Sequence, residues 1–191
     1  MDNHDELILL KETLLNENEK NNKYSFKESG LINCEMQLTD LKKIKNGYSL
    51  DDSVIDVVQG GYGVSDGKDY LFTYGIEPCC GVVLSSGDRT ILFHLDGSSS
   101  VTDVINKTDL LGFNLESKVF IFPGVTCGIS GSFDYEQLAK LYNSLGYDVI
   151  VKRINGTFGY VKVSSSEVAV GSLLFKDQET VFELDNKNIK R

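Results

Sequence analysis

From residue 54 onward the chain is a succession of short β-branched and aromatic runs cut by turn chemistry. That rhythm restricts it to folds built mainly from strands. Val54-Ile55-Asp56-Val57-Val58 stands between two aspartates and two glycines. Tyr70-Leu71-Phe72-Thr73-Tyr74, Gly81-Val82-Val83-Leu84 and residues 90–95 are further runs. Ser85-Ser86-Gly87-Asp88-Arg89 is turn chemistry between the last two, so the spacing predicts a hairpin over 79–95. Strands are also expected over 118–122, 148–151, 159–163 and 167–170. Gly60-Gly61-Tyr62-Gly63 lacks the lysine and hydroxyl residue of a phosphate-binding loop and is read as a turn between strands.

Two helices interrupt the rhythm. Ser100 caps a helix carrying Val101, Val104, Ile105 and Leu111, with Gly112 as its stop. Asp134, with Gln137 three residues on, caps a second along Tyr135, Leu138, Leu141, Tyr142 and Leu145, ended by Gly146. Strands outnumber helices and several are hairpin-linked. The class is therefore α+β, a mostly antiparallel β core with helices packed outside. Leu7, Leu10 and Leu14 sit at helical spacing, and residues 16–23 are a polar run. Residues 1–50 are thus set apart as a helical and polar N-terminal extension, and 51–191 as the main domain.

Charge narrows the partners. The 28 acidic and 19 basic residues leave a formal net charge of −9, which repels phosphate backbones, so no nucleic acid is expected. No run of about 18 apolar residues is present, so no membrane partner is expected either. The start, Met1-Asp2-Asn3-His4-Asp5-Glu6, is acidic where a signal peptide is basic, and a cytoplasmic location is the expectation. Four cysteines are too few for a disulfide framework, which suits a reducing compartment. Cys34, Cys79, Cys80 and Cys127, with His4 and His94, show no C-x-x-C or H-x-x-x-H spacing, so neither a metal nor another cofactor is expected.

Chemistry concentrates between Thr73 and His94. Thr73 ends one predicted strand, and Cys79 follows six residues later at the turn into the next. His94 lies fifteen residues beyond Cys79, and the predicted hairpin folds it back beside that cysteine. A thiol of ordinary pKa near ~8.5 becomes a nucleophile when a neighbouring imidazolium lowers it. The imidazole then protonates the leaving group, while a third group such as a threonine hydroxyl fixes its tautomer. Backbone N–H groups around residues 79–81 are the candidate oxyanion donors, with Gly81 allowing close approach. Alternation puts Cys79 and Cys80 on opposite faces, so only one of them faces His94. A buried structural thiol is the competing reading for each cysteine, and β propensity alone for Thr73.

The order Thr–x5–Cys–(about fifteen)–His resembles the chemoreceptor glutamine deamidase CheD, the catalytic domain of cytotoxic necrotizing factor and the Burkholderia lethal factor. Phe72-Thr73-Tyr74-Gly75-Ile76-Glu77-Pro78-Cys79 is similar to the family's Thr-to-Cys segment, and Phe93-His94-Leu95-Asp96 to the segment around the lethal factor's histidine. Asn155-Gly156-Thr157-Phe158-Gly159 is similar to the Gly-Thr turn of CheD. The likeness covers roughly residues 52–170. It implies a β-sandwich core flanked by helices and makes 51–191 a deamidase-like catalytic domain. It implies Cys79 as nucleophile, His94 as general base and acid, and Thr73 as the third group. It implies a cysteine-dependent glutamine deamidase, a hydrolase that turns a Gln side chain of a protein substrate into Glu through a thioester. Such a protein acts as a bacterial toxin or effector in a host cytosol, or in its own cytoplasm. Cys-x-x-Val-Val-Leu followed by Phe-His-Leu-Asp-Gly also looks like N-terminal asparagine amidohydrolases. That reading needs a carboxylate such as Asp96 or Glu77 for the substrate's ammonium. A primary amine in place of water would make the enzyme a transglutaminase. Pro78, where the family has a small residue, supports a third reading: a binding module that kept the fold and lost the activity.

Overall fold

The computed structural model describes residues 31–34 and 54–184. The leucine stripe at 7–14 and the polar run at 16–23 lie outside the described residues. The described chain is mostly β, with eleven strands in two sheets and two helices. The first sheet runs β1 (Ile32–Asn33), β3 (Gly61–Ser65), β6 (Arg89–Leu95), β5 (Cys80–Ser86), β7 (Lys118–Pro123), β8 (Asp148–Val151). The second runs β11 (Phe175–Glu183), β10 (Glu167–Ser172), β9 (Gly159–Val163), β4 (Tyr70–Ile76), β2 (Val54–Asp56). Most neighbours are antiparallel, but β1–β3, β2–β4 and β7–β8 are parallel, so both sheets are mixed. The β7–β8 pair needs a crossover, and helix α2 (Tyr135–Ser144) supplies it. No helix among the described residues is long and apolar enough to cross a membrane.

Alternation along β5 and β6 builds two apolar layers. Val82, Leu84, Phe93 and Leu95 pack with Val104 and Ile105 of helix α1 (Val101–Leu110) and with Leu138 and Tyr142 of α2. Val83 and Leu92, on the other face, pack with Leu71, Ile76, Val161 and Val170 of the second sheet. Each such side chain contributes about 1.5–3 kcal/mol when fully buried, so the first sheet is held from both sides.

The helices start where the sequence places them. Ser100 Oγ accepts from the Asp103 N–H at 3.3 Å, and Asp134 Oδ1 from the Gln137 N–H at 2.9 Å. Gly146, at φ 91°, closes α2 while the Tyr147 N–H reaches back to the Tyr142 carbonyl.

The glycine-rich stretch is a correction. Gly60 does turn, but Gly61-Tyr62-Gly63 opens a strand rather than joining two. A Cβ at Gly61 would stand 2.8 Å from Cys34 Sγ, and one at Gly63 2.9 Å from Val57 Cγ2. Those glycines mark where β1 and β2 press on β3. Between β3 and β5 the chain leaves the first sheet, runs β4 in the second, and returns through residues 77–79. That crossing brings a strand of each sheet to the same end of the molecule.

Candidate active site

His94 sits in β6 opposite a glycine on each side, Gly61 in β3 and Gly81 in β5. Phe93 and Leu95 face the helices, so His94 points toward the second sheet. No side chain from its cross-strand partners crowds the imidazole. It meets Thr73 of β4, with Nδ1 and Oγ1 2.7 Å apart and both residues buried.

The hydrogen bonds fix the tautomer. Thr73 Oγ1 also lies 2.6 Å from the Val57 carbonyl, to which it donates. A hydroxyl has one proton and a carbonyl can only accept, so Oγ1 must accept from an Nδ1–H. The lone pair of the neutral ring is then on Nε2. That atom is buried and has no hydrogen-bond partner among the described residues. Leaving a buried polar group unmade costs about 1–3 kcal/mol. Here the cost falls on a base whose proton acceptor is bare.

Cys79 precedes β5. Extending the Cys80–Leu95 register by one step sets it opposite Asp96. Alternation then places it on the face of His94 and diagonal to it, a relation that separates Cα atoms by about 7–8 Å. Cys79 and Pro78 line a cleft of about 400 Å³ with Gln59, Asp96, Gly97 and Ser98. Gly131 and Ser132, from the loop before α2, complete the wall. The Cys79 carbonyl accepts from the Gly124 N–H at 3.0 Å, whereas among the described residues its own N–H meets no acceptor. That leaves the N–H as a candidate donor to an oxyanion at Cys79.

Cys80 faces the other way. It is fully buried in the helix-side layer with Cys127, its Sγ 3.6 Å from the Gly81 carbonyl, while the Cys127 thiol reaches the Phe133 carbonyl at 3.5 Å. The structure thus brings Thr73, His94 and Cys79 to one end and leaves Cys80 and Cys127 in the core. Cys34 lies at the sheet edge against Gly61. Asp96 stands in the cleft wall, while Glu77 does not line it. The Val57 carbonyl, Gln59, Ser98, Gly131 and Ser132 escaped the sequence reading. For Ser98 a signal existed, because Asp96-Gly97-Ser98-Ser99 is turn chemistry directly after the histidine strand.

The charge state departs from the expected ion pair. Burial pushes the Cys79 thiol up to about 11, helped by the negative charge of Asp96 and by Cys127. Burial also pulls His94 down to about 4, partly offset by Asp96 and the Val57 carbonyl. Both groups are neutral near pH 7. The expectation of an imidazolium that lowers the thiol in the resting state is therefore corrected, because desolvation penalises both charges. The arrangement suits a thiol that yields its proton to Nε2 as it attacks. Among the described residues no group of three or more His, Cys, Asp or Glu is arranged to hold a metal ion. No protein-family model and no curated protein matches the sequence.

Proposed function

We propose that the chain is a cysteine-dependent deamidase that converts a glutamine side chain of a partner protein to glutamate. The observation that supports this reading is the bare Nε2 of His94, held by Thr73 on the face of the cleft cysteine. Cys79 Sγ attacks the carboxamide carbon while its proton passes to Nε2, and the oxyanion meets the Cys79 N–H. Collapse expels the nitrogen as ammonia, with the proton returned by His94, and leaves a thioester. Water then gives a proton to Nε2 and its oxygen to the acyl carbon. The thiol is restored and the product is a carboxylate. The resemblance to the CheD and necrotizing-factor group supports the choice of glutamine and a role as a bacterial effector acting in a host cytosol.

A second reading is an amidohydrolase for an N-terminal asparagine. The place of Asp96 in the cleft wall favours it, since an ammonium needs a carboxylate partner. Incubating host-cell lysate with the wild type or with Cys79→Ser, then mapping Gln-to-Glu and Asn-to-Asp conversions by mass spectrometry, tests both. Internal glutamines converted by the wild type alone support the first reading. N-terminal asparagines support the second. No conversion by either protein leaves a binding module.

A further inference from the structure

Among the described residues Asp96 is the one charged side chain in the cleft wall, and its two oxygens are used unequally. Oδ1 takes three donors: the Ser98 N–H at 2.9 Å, Ser98 Oγ at 2.7 Å and Ser99 Oγ at 3.1 Å. Among the described residues Oδ2 takes only Gln59 Nε2, at 2.9 Å. A carboxylate has about four lone-pair sites, two on each oxygen, so Oδ1 is filled and Oδ2 keeps one open. The contacts on Oδ1 account for the turn at 96–99. They do not account for Gln59, which comes from the segment after β2 and holds the second oxygen. Ser99 Oγ, which also accepts from the Asp96 N–H at 3.0 Å, braces the backbone. The open acceptor therefore sits in the cleft, beside the cysteine, on a carboxylate tied to two separate parts of the chain.

We propose that Asp96 selects the substrate by its amide nitrogen: Oδ2 accepts an N–H of the carboxamide while the carbonyl oxygen points to the Cys79 N–H. This rests on the deamidase reading and gives it a direction. A primary amide offers two N–H donors, and the acid formed by hydrolysis offers none. The product is also an anion facing Asp96, and no cation among the described residues of the wall holds it. The same carboxylate that takes up the amide thus rejects the acid and clears the cleft after each turnover. Sites built to meet an N–H discriminate strongly against analogues that lack it.

The test uses the blocked dipeptide benzyloxycarbonyl-Gln-Gly and its Glu counterpart as protectants of Cys79 against iodoacetamide, read by mass spectrometry. Neither carries an ammonium. In the wild type the amide protects at a concentration at least about tenfold lower than the acid. In Asp96→Asn, which retains an oxygen for the turn and puts a donor in place of Oδ2, the preference is lost or reversed. Gln59→Leu, which frees Oδ2 without touching the turn, narrows it. Equal protection by amide and acid in the wild type, or an unchanged ratio in a folded Asp96→Asn, overturns the proposal. So does protection only by a dipeptide with a free amino terminus, which makes Asp96 an ammonium seat. Protection needs no turnover. A wild type that prefers the amide yet releases no ammonia defeats the deamidase reading and leaves Asp96 as an amide binder.

Discussion

Cys79 and Cys80 are adjacent in the chain and opposite in their surroundings. Cys80 enters the layer between the first sheet and the helices, among Val82, Leu95 and Leu138, with its Sγ on the Gly81 carbonyl. Cys79 lines an open cleft with a carboxylate, on the sheet face that also carries His94, whose Nε2 has no hydrogen-bond partner among the described residues. Burial raises both thiols. What separates them is the cleft, together with the histidine on the sheet face of Cys79. Pleat geometry makes the assignment, since one residue of shift exchanges the two faces.

Substitution of the two cysteines gives the largest contrast. Cys79→Ser abolishes ammonia release, by roughly 10³-fold or more, because a buried hydroxyl is a far weaker nucleophile than a thiol. Equal loss in Cys80→Ser would erase the contrast. Next in size is Thr73→Val, which removes the acceptor of the Nδ1–H and frees the ring to place its proton on Nε2. The turnover number falls by roughly 10²-fold, within the range of a general base's contribution, and Thr73→Ser restores most of it. A Thr73→Val enzyme of full turnover would remove the relay from the account.

Acid sensitivity follows from His94. Its folded value, about 4, lies below its ordinary 6.5, so the unfolded chain takes the proton first. The resulting stability is fully present above pH 6.5 and is lost as pH falls through about 4, by at most about 3–4 kcal/mol. Urea titrations at several pH values measure this loss, and it is smaller in His94→Gln. The raised Cys79 works at the other end: its stability is present below pH 9.0 and lost as pH rises toward about 11. Iodoacetamide labelling of Cys79 should accordingly stay slow at about pH 5 and climb through the alkaline range. A fast plateau in mild acid would restore the ion pair.

The smallest effect is expected on the helix side. Cys80→Ala removes a sulfur from a filled layer and costs roughly 1–2 kcal/mol in the same titrations. Turnover stays within a few-fold.

The hairpin that joins the two cysteines to His94 was legible because Ser85-Ser86-Gly87-Asp88-Arg89 is turn chemistry between β-branched runs. Both helices were legible through Ser100 and Asp134, whose capping oxygens act locally. β3 was hidden, since Gly61 and Gly63 answer to the distant side chains of Cys34, Ile55 and Val57. The division into two sheets was hidden too. Nothing local says that β4 leaves the sheet of β3 and β5. Cys79 and His94 became candidates through the predicted hairpin, and the resemblance added Thr73 and the choice of Cys79 over Cys80. That Thr73 Oγ1 gives its proton to the Val57 carbonyl could not be read, because a backbone oxygen carries no residue signature. Alternation told that Cys79 and Cys80 diverge, but only the packing of α1 and α2 told which one enters the core.

The account turns on which nitrogen of His94 carries the proton. Nitrogen-15 NMR of labelled histidine near pH 7 reads this directly, with His4→Gln leaving a single ring in the spectrum. The account predicts a neutral ring protonated at Nδ1, with Nε2 unprotonated and its signal shifting on alkylation of Cys79. A ring protonated at Nε2, or at both nitrogens, would contradict it.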